Sequence, residues 1–278
     1  MRTAIFILVP LLVAGCDASI DPRLPDGNGS DASTITPGGD AGPICHGNGD
    51  GVITRDELVF APGIDVRYRI NPIGTNVTVD VNGQAHSDGS HAWDFSNTEG
   101  ELDSLQLVTT AGLWFAGDFP TGEYASRIDP RGPTLGVYHA TDVALELLGV
   151  ANEDMTDGTE LRYDTPIPLL RFPLVLGMTW SADAMTSGMA MQVPVASRDH
   201  YDVTVDASGS LNLGILTLRQ TLRVRVESTQ MFPAGPGTRR IQYLWLTECY
   251  GEVARITSTN GEVDPSFTQA EEFRRLGL

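Results

Sequence analysis

The sequence predicts an all-β protein, either an antiparallel sandwich or a partly open barrel, with one short helix near the start of the folded part. Three observations lead to this prediction. Short runs of alternating apolar and polar residues recur after residue 62, turn-forming pairs such as Asn82-Gly83 separate them, and segments with a helical period are scarce. Many strands at short spacing without intervening helices are typical of antiparallel sheets.

Composition and charge exclude several classes of function. The chain has 278 residues with 18 basic and 36 acidic side chains, and every basic residue is an arginine. The formal charge of −18 makes nucleic acid a poor partner, because binding to phosphates needs clustered positive charge. Schiff-base chemistry and phosphate-binding loops of the P-loop type need a lysine, which this chain lacks. A hydrophobic content of 41% is enough for a packed core.

The first sixteen residues have the features of an export signal. Arg2 is followed by an apolar run over residues 4–13, which is too short to span a bilayer. The run ends in Val13, followed by two small residues and Cys16. This segment resembles the lipobox of bacterial lipoproteins. The resemblance implies removal of residues 1–15 as a signal peptide and acylation of the thiol and the new amino group of Cys16.

An ordinary secretory signal with an incidental cysteine is the alternative interpretation. On the lipoprotein interpretation, Cys16 starts a flexible tether over residues 16–44, which is rich in Gly, Asp, Ser, Pro and Thr and contains no aromatic residue. The lipid would then be the contact with the membrane, and we expect the protein in the bacterial cell envelope, at the outer membrane. A loop with a short helix over residues 45–61 and one antiparallel β domain over residues 62–278 would follow.

Two cysteines remain after the signal is removed and Cys16 is acylated, namely Cys45 and Cys249. Disulfides persist in exported proteins, so we expect these two to pair; two free or partner-linked thiols are the alternative. The bridge would close a loop of about 200 residues, for which the chain-entropy model gives a stabilisation of up to about 5 kcal/mol. It would fasten the segment around Cys45 to the body of the fold.

The clearest strand pattern covers residues 216–227, where apolar and polar side chains alternate. This pattern predicts a long strand with one wet face, and we expect the arginines on that face to pair with neighbouring carboxylates. Residues 234–237 are a predicted hairpin loop. Residues 141–148 are a candidate helix, and residues 266–276 fit a helix or a last strand equally. The predicted turns are Asn82-Gly83, Ser208-Gly209 and Asn260-Gly261.

One segment, residues 46–57, resembles a calcium loop of the EF-hand or dockerin type. The resemblance assigns oxygen ligands to the third, fifth, seventh, ninth and twelfth positions, the seventh being a backbone carbonyl. The first position departs from the pattern, because it holds His46 where an aspartate is expected and imidazole is a poor ligand for calcium. A bound calcium would have a structural role at the junction of tether and body. The assigned ligands are, in order, Asn48, Asp50, Val52, Thr54 and Glu57.

A metal-free interpretation of the same residues is also open. Thr54 and Glu57 have the spacing of a capping box, in which the hydroxyl and the carboxylate each accept a hydrogen bond from a free amide at the start of a helix. The preceding Asn-Gly-Asp-Gly stretch would then be a simple turn. Under both interpretations, a short helix is expected at about residues 54–60, ending before Pro62.

Recognised catalytic motifs are missing from the sequence. It contains no Gly-x-Ser-x-Gly elbow, no His-Glu-x-x-His helix and no glycine-rich dinucleotide loop after a strand. His86 and His91 lie in a Gly/Ser-rich stretch typical of a solvated hairpin loop, and His200 is expected on the surface. The large aromatic side chains are expected in the core.

These features predict a non-enzymatic cell-envelope lipoprotein with a binding or structural role, whose partner could be a protein, a glycan or a lipid. A carrier of hydrophobic ligands on a half-open β-barrel is the second hypothesis, by analogy of fold class and location with some periplasmic lipoproteins. A hydrolase of envelope polymers is the third. A deep apolar cavity would favour the carrier, and a cleft with converging carboxylates or histidines would favour the hydrolase.

Overall fold

The computed structural model describes residues 45–58, 60–97 and 99–277. The predicted signal peptide and the whole predicted tether, including Cys16, therefore lie outside the described residues. The prediction of an all-β fold is confirmed, because the described residues form one large sheet and three short 3-10 turns. Among the described residues, no helix has the length and apolar composition needed to cross a membrane.

Sixteen strands of the described part of the chain make up the sheet. In chain order they are β1 (Asp65–Ile70), β2 (Val77–Thr78), β3 (Gln84–Ala85), β4 (His91–Asp94), β5 (Glu101–Gln106), β6 (Val108–Thr109), β7 (Tyr124–Arg127), β8 (Thr134–Ala140), β9 (Ala144–Asn152), β10 (Glu160–Arg171), β11 (Thr179–Ala190), β12 (Val193–Asn212), β13 (Thr217–Met231), β14 (Thr238–Thr247), β15 (Gly251–Ser258) and β16 (Gln269–Leu276). The 3-10 turns are Arg55–Glu57, Ala116–Asp118 and Met155–Asp157.

The strand order shows how the sheet curls into a nearly closed barrel. Neighbours run β5-β1-β16-β15-β14-β13-β12-β11-β10-β9-β8-β7-β6, and each pair on this path is antiparallel. The strands at the two ends of this order, β5 and β6, are consecutive in the chain and separated by Leu107 alone. The two edges of the sheet must therefore meet, and β5 contacts β7 at the seam. Closure removes the open edges on which other chains could pair.

The inner face of the barrel carries the largest apolar cluster. Alternate residues of β12, β13 and β14 point inward, as the period of two requires. Leu147, Ile167, Val205, Val224 and Leu244 are almost fully buried in this cluster. The predicted hairpin loop at residues 234–237 is confirmed as the connection between β13 and β14.

A flap formed by β2, β3 and β4 covers part of the outer face and forms a second core. Trp93 of the flap packs edge-on against Trp245 of β14, with ring centroids 5.9 Å apart. The prediction of a wet face over residues 216–227 is therefore wrong in its middle, where Thr221 and Arg223 are buried and the Arg223 guanidinium lies over the Trp93 ring of the flap. Arg223 nevertheless pairs with a carboxylate as expected, because it forms two hydrogen bonds with Asp206 at 2.8 and 3.1 Å.

Gly209 is a second point where the structure differs from the sequence prediction. Ser208-Gly209 is not a turn but lies inside β12, beside two register irregularities of its pairing with β13. β4 pairs with β12 in parallel at this point, and a Cβ on Gly209 would lie 1.8 Å from the carbonyl oxygen of His91. The glycine is needed for close approach of two backbones.

The helical predictions are also corrected. The helix expected at residues 54–60 is reduced to the 3-10 turn Arg55–Glu57, after which Leu58 is extended. The candidate helix at residues 141–148 is a turn that leads into β9. Residues 266–276, left open by the sequence, end in strand β16.

One end of the barrel is closed by an N-terminal plug, which we define as residues 45–58 and 60–64. Ile53 forms an isolated bridge with Leu174, and Ile53 and Leu58 are completely buried in the inner apolar cluster. The predicted disulfide between Cys45 and Cys249 is confirmed, with a Cα–Cα distance of 5.5 Å. It fastens the plug to the turn between β14 and β15.

Replacing both Cys45 and Cys249 with serine should lower the free energy of unfolding by ~2–5 kcal/mol, because the unfolded chain regains the freedom that the cross-link removes. Urea denaturation followed by tryptophan fluorescence measures this. Reduction of the wild-type protein should produce the same shift, and the reductant should leave the double variant unchanged. Equal midpoints for the wild type and the variant would contradict a stabilising bridge.

Candidate functional site

The first half of the calcium-like loop is held by its own polar groups. The Asp50 amide donates to Asn48 Oδ1 at 2.9 Å, and the Val52 amide donates to Asp50 Oδ1 at 2.8 Å. The Asn48 side-chain amide also donates to Asp50 Oδ2 at 3.0 Å. These bonds form the simple turn that the metal-free interpretation expects, with both side chains exposed.

The second half of the loop has capping geometry. The backbone amide and the hydroxyl of Thr54 both donate to Glu57 Oε2, each at 2.8 Å, and Glu57 is buried. The Glu57 amide in turn donates to the Thr54 carbonyl at 3.2 Å. The carboxylate therefore satisfies the free amide of Thr54 at the start of the 3-10 turn, and both halves of the expected capping box are present.

Glu248 is a carboxylate that the sequence pattern did not reveal at this loop. Its Oε2 accepts a hydrogen bond from the Gly49 amide at 2.8 Å, and the Gln220 side chain donates to the Gly49 carbonyl. Glu248 is 8% exposed, and its Oε1 is buried with no hydrogen-bond partner among the described residues. A separation of 199 residues from Gly49 explains why no local motif could show the contact.

The fit of calcium to this loop is incomplete. Oxygen ligands of the right kind are present, since calcium prefers carboxylate, amide and carbonyl oxygens. However, the polar groups already bond to one another, and the described residues contain no group of three or more His, Cys, Asp or Glu side chains placed to hold a metal. Calcium binding by Asn48, Asp50, Val52, Thr54 and Glu57 stays a prediction.

Titration of the protein with calcium in a calorimeter tests this prediction. We expect binding heat that Asp50→Ala abolishes, because the variant removes a ligand that the resemblance assigns. Asp56→Ala is the matched control, since Asp56 is an exposed carboxylate in the neighbouring turn and outside the ligand set. No heat at millimolar calcium, or equal losses in both variants, would leave capping as the role of the loop.

A fully buried charge network lies inside the barrel, on β15 and β16. Arg274 donates from Nε and Nη2 to Glu252 Oε1 at 2.9 and 2.6 Å, and Arg255 donates from Nη2 to Glu252 Oε2. Glu272 lies 3.4 Å from the Arg274 guanidinium and accepts a hydrogen bond from Thr257 at 3.1 Å. All four charged residues are at most 1% exposed.

Burial dominates the electrostatics of this network. It raises the pKa of Glu272, against the opposing charges of Arg274 and Arg255. It lowers the pKa of Arg255, and repulsion from Arg274 adds to that effect. Burial also lowers the pKa of Arg274, but the charges of Glu252 and Glu272 outweigh it, so the net shift is upward. The two arginines therefore depend on the two glutamates to remain charged without water.

The opposite end of the barrel from the plug carries a second buried polar cluster. Asp199 accepts hydrogen bonds from the hydroxyls of Thr186 and Ser197 at 2.8 and 2.9 Å, and burial raises its pKa. The hydroxyls of Tyr163 and Tyr201 lie 3.1 Å apart beside it. A polar cluster of this kind has the residue types of a catalytic site, but each of its groups is engaged with a neighbouring side chain.

Between these two polar regions the barrel interior is filled. The apolar cavity found there, beside Ile167, Tyr201 and Leu244, has a volume of about 10 Å³. That space is at the lower limit for one water molecule, which needs roughly 10–15 Å³. Pockets for small molecules usually measure about 300–1,000 Å³.

The histidines singled out in the sequence do not come together. His91 stacks on Trp93 with ring centroids 5.6 Å apart, and the His86 amide bonds across the tip of the expected hairpin loop. His200 lies on β12 with its two ring nitrogens 3.1 Å from Asp183 and Asp202. Burial lowers the pKa of His200, but the hydrogen bonds to both carboxylates outweigh it, so the pKa is raised.

Comparison with known proteins gives no relationship from which to transfer a function. No protein-family model, curated protein or solved structure matches this chain. The geometry of its own residues is therefore the basis for any functional conclusion.

Glu252→Gln should lower the free energy of unfolding by ~3–5 kcal/mol, because it leaves two buried arginines without their shared carboxylate. Glu101→Gln is the control, since Glu101 is exposed on β5, and its effect should stay within ~0.5 kcal/mol. Denaturant titration of both variants measures the difference. A loss for Glu252→Gln no larger than that of the control would contradict the structural role of the network.

Proposed function

We propose that this chain is a non-enzymatic lipoprotein of the bacterial cell envelope, anchored through an acylated Cys16 and serving a binding or structural role with the outer surface of its barrel. The filled and plugged interior is the observation that carries this proposal. The lipobox-like segment ending at Cys16 supports the anchor, and the Cys45–Cys249 disulfide supports an oxidising compartment outside the cytoplasm.

Both ends and the middle of the barrel interior are occupied by packed side chains, which argues for a role of the outer surface. Ile53 and Leu58 of the plug occupy one end, the inner apolar cluster fills the middle, and the Asp199 cluster occupies the other end. A ligand of ordinary size would have to displace packed side chains or break buried hydrogen bonds. Both changes are costly, since interiors are close-packed and an unpaired buried polar group costs about 1–3 kcal/mol.

A carrier of hydrophobic ligands is the second candidate function, and one observation favours it. The seam of the barrel lies between β5 and β7, and it is held by contacts between these two strands and by the continuous chain from β5 to β6. The strand pairing itself passes from β1 to β5 and from β6 to β7. A sheet that parts at this seam would expose the inner apolar cluster to a lipid chain. The fold class of a curled antiparallel sheet is compatible with such a carrier.

Membrane partition and mass analysis of the native protein test both functions. The wild-type protein should partition into membranes and carry an acylated N-terminal Cys16, whereas Cys16→Ser should be released, because a buried acyl chain contributes about 0.8 kcal/mol per methylene. Cys45→Ser is the matched control for loss of a thiol and should still partition. Unchanged partition of Cys16→Ser would overturn the anchor.

Organic extraction of the released protein should yield no stoichiometric lipid; one lipid per chain would favour the carrier instead.

A further inference from the structure

Exposed methionines gather at the end of the barrel opposite the plug. Methionine is one of the residue types most often buried, and its flexible side chain usually fills gaps in a core. Here five methionines are between 40% and 64% exposed, and all five lie on strands or turns at this one end. They are Met155, Met185, Met189, Met191 and Met231. Among the described residues, the remaining methionine is Met178, which packs against the inner apolar cluster.

Three of the exposed methionines lie on two turns that contact each other, namely the tip of the hairpin between β11 and β12 and the 3-10 turn before β10. The Met191 amide donates to the Thr159 hydroxyl at 3.0 Å, and the Gln192 side chain donates to the Thr156 carbonyl at 3.3 Å. These bonds fix the two turns side by side. The three methionines are Met189 and Met191 on the hairpin and Met155 on the 3-10 turn.

The hairpin tip holds Met191 in an uncommon backbone conformation. The two residues of the turn, Met191 and Gln192, have φ values of 49° and 63°. Asn and Gly are favoured at such left-handed positions of a two-residue turn, and a long side chain is uncommon there. Residues held in sparsely populated conformations are concentrated at functional sites. The methionine at this position therefore points to a use for its side chain.

Soft metal ions suit these side chains chemically. The thioether sulfur is a soft, polarizable donor, and soft donors select Cu(I) over the hard cations that carboxylates bind. Both cysteines of the described residues are in the disulfide, so the thioethers are the softest donors in that part of the chain. A methionine side chain has three rotatable bonds, which lets thioethers on adjacent turns converge on one ion.

The charge around the hairpin tip favours a cation. Glu160 of β10 is directly opposite Met189 in the pairing with β11, and Asp154 and Asp157 belong to the neighbouring 3-10 turn and its cap. The nearby Arg162 lies 3.3 Å from Glu160, so its charge is already paired. Carboxylates in excess over basic groups raise the local concentration of a cation without having to coordinate it.

The other two exposed methionines are separate from this group. Met185 on β11 and Met231 on β13 are both directly opposite Arg198 of β12, which lies between them. Met185 precedes Met189 by four residues, or about 13 Å along a strand. A cation between Met185 and Met231 would meet the positive charge of the arginine, so this pair lacks the features of the hairpin tip.

We propose that the tip of the β11–β12 hairpin and the adjacent 3-10 turn bind one soft monovalent cation, Cu(I), through the thioethers of Met155, Met189 and Met191. The site lies on the surface, where the ion can enter and leave while the barrel stays closed. This inference goes beyond the proposed function, because it requires neither the lipid anchor nor a macromolecular partner.

Competition for Cu(I) with the chromogenic chelator bicinchoninate tests the site, in the absence of oxygen and with ascorbate as the reductant. The chain should carry Cys16→Ser, so that no free thiol at that position binds the ion. We expect one Cu(I) per chain. The double variant Met189→Leu, Met191→Leu should weaken binding at least roughly tenfold, because it removes two of the three ligands and loss of even an outer partner of a metal ligand costs ~10–100-fold.

The double variant Met185→Leu, Met231→Leu is the matched control. It removes the same number of exposed thioethers from the same end of the barrel, and it should change Cu(I) binding less than about twofold, since these sulfurs lie outside the site. Both double variants should keep the Tm of the parent chain, because leucine has a similar volume to methionine and the replaced side chains are exposed.

A second measurement needs no change at the site. Ag(I) is a soft cation that undergoes no redox change under these conditions, and it can be titrated into protein with isotope-labelled methionine methyl groups. The NMR signals of the three proposed ligands should shift, whereas those of Met178, Met185 and Met231 should stay in place. Failure of the parent chain to compete for Cu(I), equal losses in the two double variants, or uniform shifts of all methionine signals would overturn the proposal.

Discussion

The shared carboxylate of Glu252 is the interaction on which the barrel depends most. It accepts hydrogen bonds from two arginines that are completely removed from water, with Glu272 as the second negative charge, and desolvation of each charge costs several kcal/mol unless it is paired. The backbone carbonyl of the same residue accepts a hydrogen bond from Tyr68 of β1 at 2.7 Å. Glu252 therefore joins β15, β16 and β1, and the sheet must close around it to keep water out. Disorder in β1, β15 or β16 would expose the arginine–glutamate pairs to solvent and remove the contacts that join these strands.

The two ends of the barrel protect this interior by different means. The plug closes one end with the apolar side chains Ile53 and Leu58, and the disulfide keeps the plug in place. The other end is closed by hydrogen bonds around Asp199, whose raised pKa reflects its burial. With both ends closed, exchange of material with the interior requires local unfolding. The outer face of the sheet and the flap are the surfaces that remain accessible in the folded state.

Sequence reasoning predicted the features that depend on local pattern. The all-β class, the disulfide and the hairpin loop at residues 234–237 follow from alternation, compartment and turn chemistry. It could not predict features that depend on contacts distant in the chain. Gly209 has the signature of a turn but is required by the approach of β4, and Arg223 has the signature of an exposed residue but is covered by the flap. Glu248 reaches the calcium-like loop from the far end of the sequence. In each case the local sequence pattern showed the type of residue, whereas contacts with residues distant in the chain decided its environment.

The register of one strand links the buried charge network to the outer face of the sheet. Successive side chains of a strand point to opposite faces, so Arg274 inside the barrel requires Arg275 on the outside. Pairing of β16 with β1 then sets Arg275 opposite Arg69 and Arg274 opposite Ile70. A slip of one residue between β16 and β15 would move Arg274 away from Glu252 and leave its buried guanidinium without that carboxylate, so the interior charges forbid it. The placement of Arg69 opposite Arg275 is thus a consequence of the register that the core requires.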